Sequence, residues 1–210
     1  MKAWVDLYSA HQALRTQGAE AEKQIREVLR RLGEQRPSVF QSNVQSRLQP
    51  QRNPETGLQV VELNRARRGE EVHLHQLPAA DQKEVHLKEA RLTVLLLLDR
   101  SRQHLHQFTV MVEGKRSDDS PWTVAVHLPD DRPTVKNPSA DRQGHGGCGH
   151  AALHCHVGPT LDVQPKVRVP LPPLSPGAIV EWVMSQVVPT AAFEPALWPN
   201  VVNARSQPLR

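Results

Sequence analysis

The sequence predicts an α+β fold: an N-terminal amphipathic helical segment, an antiparallel β-meander, a proline-rich loop region and a C-terminal helix. Three observations carry this expectation. Apolar residues recur every three to four positions through the first third, the period changes to two beyond residue 57, and a capped apolar helix follows the proline-rich region.

Element by element, Trp4, Leu7, Tyr8, His11 and Leu14 make one helical stripe, and Ala21, Ile25, Val28, Leu29 and Leu32 a second. Gly33 supplies a C-terminal stop for the second helix. Residues 34–57 are polar, hold three prolines and read as a linker. "LQVVELN" and "EEVHLHQL" then read as a strand pair around the turn "RARRG", and "PAADQKEVHLKEAR" as a short helix behind Pro78. "LTVLLLLD", "LHQFTVMVEG" and "WTVAVHLP" are three further strands joined by "RSRQ" and "KRSDDSP". In the middle one Phe108, Val110 and Val112 alternate with Thr109, Met111 and Glu113, so one face is apolar. Thirteen of the eighteen prolines lie at or after Pro129, as expected of fixed loops over a scaffold. Ser175 as N-cap and Pro176 in the first turn open the last helix, "GAIVEWVMSQVV", which Pro189 stops. The expected division is a helical segment (1–33), a linker with a strand pair (34–78), an α+β domain (79–195) and a tail (196–210).

Composition bounds the function classes. Apolar residues make up 38% and charged residues 23%, the balance of a globular chain, and with only 4% aromatics the core must be aliphatic. The net charge is +4, and the densest basic cluster, Arg65, Arg67 and Arg68, lies beside Glu62, Glu70 and Glu71. That mixture reads as a solvated turn rather than a phosphate-binding patch, so no nucleic-acid partner is expected. The opening "MKAWVDLYSAHQALR" lacks the apolar stretch of a signal peptide, and the run Leu92–Leu98 is far too short to span a bilayer. With two cysteines seven positions apart and no export signal, the expectation is reduced thiols in a cytoplasm and no membrane association. The Arg-, Ala- and Pro-rich composition reads as bacterial.

Chemistry concentrates in "GHGGCGHAALHCHVG" (144–158), which holds both cysteines and four of the eleven histidines. His145, Cys148, His150, His154 and His156 are nitrogen and sulfur donors of the kind zinc takes, and a strand would put His150, His154 and His156 on one face with Cys155 on the other. No C-x2-C pair is present, so the spacing is not that of a zinc module, and the first expectation is no cofactor, with zinc as the alternative. His73, His75, His104 and His106 read as solvated strand histidines.

Cys155 can also be read as a nucleophile. The strand "WTVAVHLPDDRP" precedes it, His145 stands ten residues before it, and Pro165 ten residues after it, ahead of the last helix. In this order the chain resembles the ubiquitin-conjugating enzyme family over about residues 92–195. There a strand ends in Phe-Pro-x-x-Tyr-Pro, a His-Pro-Asn motif precedes the catalytic cysteine by ten residues, and a Ser-Pro segment leads to a helix. The resemblance implies a ubiquitin-conjugating-like domain, Cys155 as thioester nucleophile and His145 as the motif histidine. It implies a ubiquitin-like protein and an adenylating activating enzyme as partners. The chain departs from the pattern where "HGG" puts Gly147 at the asparagine's place and Arg132 at the tyrosine's. The asparagine is credited in the family with supporting the oxyanion.

Three functions therefore stand open. One is carriage of a ubiquitin-like modifier on Cys155 and its transfer to an amine. The second is a non-catalytic protein-interaction module of the same fold, assembled through its N-terminal helix, which the missing asparagine favours. The third is a Cys/His metal-binding protein using residues 145–156. For Cys155 itself the competing reading is a small buried hydrophobe on a core strand beside Leu153 and Val157.

Overall fold

A computed structural model describes residues 10–34, 38–41, 44, 47–63, 72–74, 87–132, 153–158, 169–172 and 174–186. Residues 10–15 are helical and lead into helix α1, Gly18–Glu34. The five residues expected on the second apolar stripe, Ala21, Ile25, Val28, Leu29 and Leu32, are all buried. Gly33 lies inside the last turn, one residue short of the end of α1. At the start of α1 the Gly18 N–H donates to the Gln103 carbonyl at 3.0 Å. A Cβ at Gly18 would lie 2.6 Å from the Arg102 carbonyl oxygen, so only glycine permits this approach.

Seven strands follow: β1 Gln49–Arg52, β2 Gln59–Leu63, β3 Lys88–Leu98, β4 Leu105–Lys115, β5 Pro121–Leu128, β6 His154–Gly158 and β7 Val169–Pro170. Each pairs antiparallel with its neighbour in sequence, giving the sheet order β1-β2-β3-β4-β5-β6-β7 among the described residues. The meander is thus as expected, and the three strands read from the period-two pattern are β3, β4 and β5.

Local details differ from the sequence reading. The polar segment 34–57 contributes β1, whose four residues are all exposed, so an edge strand hides in what reads as a linker. Neither β2 nor residues 72–74 pairs with the other. Both lie along β3, β2 against Val94–Leu98 and the shorter piece through the Leu74 N–H to Ala90 carbonyl and Leu92 N–H to Val72 carbonyl bonds. "KEAR", read as the end of a helix, opens β3, with Glu89 at a φ of 52° where the register with β4 shifts. The helix expected behind Pro78 otherwise lies outside the described residues.

Helix α2, Pro176–Ser185, is capped as expected, the Ser175 hydroxyl accepting from the Ala178 N–H at 3.3 Å. Pro189, its expected stop, lies outside the described residues. α2 packs against α1, where Gly177 abuts Gln24 and Val28 and Arg31 pairs with Glu181. Both helices join one apolar core with one face of the sheet. The register explains that core: Leu63, Val94, Val110 and Val126 stand in one cross-strand row, and Val61, Leu96, Phe108 and Leu128 in the next. All eight are buried. Burial of such aliphatic rows contributes about 25 cal/mol per Å2 removed from water, which is how a chain so poor in aromatics holds together. No described helix is long and apolar enough to cross a membrane.

Candidate functional site

Cys155 occupies the row just described. It pairs in register with Val126 on one side and Val169 on the other, so the series Leu63, Val94, Val110, Val126 continues through its position. It is 1% exposed and belongs to the apolar core with the fully buried Leu153, whereas Val157, expected beside it in the core, is 49% exposed. Its Sγ–H lies 3.6 Å from the His156 carbonyl oxygen, and burial pushes the thiol up to about 11. His145, Cys148 and His150 lie outside the described residues, as do Gly147 and Pro165. Of the group drawn together by the resemblance, the structure therefore locates Cys155, the strand that precedes it, Arg132 and the last helix.

The histidines flanking Cys155 point to the other side of the sheet, as alternation demands. There His154 pairs in register with His127, and His156 with Ala125. The rings of His154 and His156 are 4.7 Å apart, with His127 at 6.1 and 5.2 Å from them. Thr109 Oγ1, one strand further in, lies 3.1 Å from His127 Nδ1. Two of the five residues in the sequence-level metal set are therefore joined by a histidine that set did not include. His127 is legible only once β5 and β6 are put in register, because 27 residues separate it from His154.

A second cluster sits at the sheet end where β4 begins and β5 finishes. The Asp131 carboxylate accepts from His104 Nε2 and from His106 Nδ1, each at 2.7 Å, through different oxygens. The Asp131 N–H donates to the His106 carbonyl at 3.2 Å, which holds the segment after β5 against β4. Arg15, its side chain 3% exposed, reaches in from the helical residues 10–15. Its Nη1 donates to the His106 carbonyl at 2.7 Å and stands 3.6 Å from Asp131 Oδ2, while Nη2 donates to the Pro129 carbonyl at 2.9 Å. Burial acts to raise the Asp131 carboxyl, but the two imidazole hydrogen bonds and the Arg15 charge outweigh it and hold the group below the usual range. His104 and His106, expected as solvated strand histidines, are instead the two arms of this clamp. Arg132 folds back on its own turn, with Nε 3.0 Å from Asp130 Oδ1 and Nη2 2.6 Å from Oδ2.

His11 connects the helical side to the cysteine strand. It is fully buried, with Nε2 3.0 Å from the Leu171 carbonyl oxygen and Nδ1 3.3 Å from the Leu153 backbone nitrogen. A carbonyl only accepts and an N–H only donates, so the ring is the neutral form protonated on Nε2. Burial, with Arg15 adding to it, depresses its titration below the ordinary histidine value against the opposing pull of the Leu171 carbonyl. The apolar spacing of the first stripe marks His11 as inward-facing, but nothing local names its partners, which lie 142 and 160 positions away.

Chemically, then, the described residues offer a core thiol, a triple-imidazole face and a His-Asp-His clamp backed by arginine. Comparison of the chain with protein-family models, curated proteins and solved structures returns no match.

Proposed function

We propose that the chain is a non-catalytic protein-interaction module built on a ubiquitin-conjugating-like α+β domain. The supporting observation is the position of Cys155 inside a continuous row of valines and leucines, with its thiol pushed up to about 11. Thioester chemistry needs a thiolate that a protein substrate can reach, and burial both covers this thiol and favours its protonated form. The two histidines next to it lie across the sheet, too far round the strand to activate it. Cys155 then serves the core, and the domain holds its partner without a covalent bond. On this reading the partner is a protein, a ubiquitin-like protein being the class the resemblance implies.

The route through the N-terminal helix takes a particular form. The apolar stripe of α1 is spent on α2 and the sheet, so α1 presents a charged face with Lys23, Glu27, Arg30 and Glu34. A partner meeting α1 does so through ion pairs, and its affinity falls with added salt.

Incubation with a ubiquitin-like protein, its adenylating enzyme and ATP tests the proposal. The expected outcome is no reductant-sensitive adduct on Cys155, with reversible binding of the ubiquitin-like protein retained in Cys155→Ala. An adduct lost in Cys155→Ser and retained in Cys148→Ser would restore the carrier reading and overturn this one.

A further inference from the structure

We infer that His104, His106 and Asp131 form a binding site for a divalent transition cation of the zinc, nickel or copper type. One donor atom from each of the three side chains lies within 4.8 Å of the others, a separation that a single ion can bridge with small shifts. The donors approach from different directions: the two rings meet edge to face, 4.8 Å between centroids at 63°, and offer unlike nitrogens, Nε2 of His104 and Nδ1 of His106. All three residues are partly buried, which keeps an entry path while limiting competing water.

The elements around the cluster fix it. Leu105, between the two histidines, is fully buried, and the Asp131 N–H is bonded to the His106 carbonyl. Arg15 grips the His106 and Pro129 carbonyls and places its charge 3.6 Å from Asp131 Oδ2. The donor types decide which cation fits. One carboxylate, already shared with Arg15, is the only oxygen side chain in the cluster, so calcium and magnesium, which need several anionic or carbonyl oxygens, find too little here. An imidazole-seeking ion finds two nitrogen donors and one oxygen, with solvent completing its shell.

Without the ion, each histidine points an N–H at Asp131. On binding, each neutral ring moves that proton to its other nitrogen and gives the vacated lone pair to the metal, so no net proton is released from a neutral ring. The ion would bridge the start of β4 to the segment leaving β5, and would stabilise the fold in proportion to its occupancy.

The test uses the full chain, freed of metal and titrated with zinc chloride by calorimetry, with cobalt(II) absorption as a second readout. One equivalent is expected to bind at this cluster and raise the melting temperature. His104→Ala, at a partly exposed ring, should weaken that equivalent by about tenfold or more. His104→Gln, which keeps much of the side-chain volume, should weaken it similarly while melting like the parent without metal. The double variant His154→Ala/His156→Ala should leave this equivalent intact. Affinity unchanged in both His104 variants, loss confined to the His154/His156 double variant, or no zinc uptake by the parent would each overturn the inference.

Discussion

At the scale of single residues, the buried histidine makes the sharpest statement about pH. His11 titrates below its ordinary value when folded, so the unfolded chain takes up the proton first as pH falls. Its contribution to stability is fully present above about pH 6.5 and is lost as pH drops through the lower folded value. Melting temperature measured from pH 7 to pH 5 should therefore decline. His11→Gln, whose amide replaces donor and acceptor but does not titrate, should be less stable at pH 7 and show a shallower decline. An unchanged slope in that variant would mean that His11 is not the group responsible. Asp131, Asp130 and Asp99 act in a separate window: each is held below the usual carboxylate range, so their contributions persist above about pH 4 and fade below it.

At the scale of elements, the close approach of α1 to the β3–β4 turn is the most exposed to a small change. Gly18→Ala forces a methyl to within 2.6 Å of a backbone oxygen that the neighbouring hydrogen bond holds in place. Chemical denaturation should show a loss of about 1–3 kcal/mol, where an alanine in an unconstrained helix would gain stability. Elements set by local chemistry were legible in the sequence. The stripe of α1, the alternation of β4 and the Ser175 cap depend on residues a few positions apart, and each appears where the spacing puts it. What pairing decides was not legible: β1 has no apolar face to announce it, and residues 72–74 look like a partner for β2 until β3 is seen to serve both. The candidate site divides the same way. Alternation correctly separates Cys155 from His154 and His156, while His127, Asp131 and Arg15 join their clusters through contacts 25 to 116 positions apart.

At the scale of the whole molecule, one apolar layer runs from α1 and α2 across the helix-facing side of the sheet, and Cys155 is part of it. Where the resemblance implies a surface nucleophile, the fold supplies a packing residue, and that substitution of roles is what favours a binding module over a carrier. The most direct measurement is the alkylation rate of Cys155 in the native protein, read by mass spectrometry and compared with the same residue in denaturant. Protection of Cys155 in the native state, relieved on unfolding, is the predicted result. Native alkylation of Cys155 as fast as in denaturant would place the thiol at the surface and contradict the core assignment on which the proposed function rests.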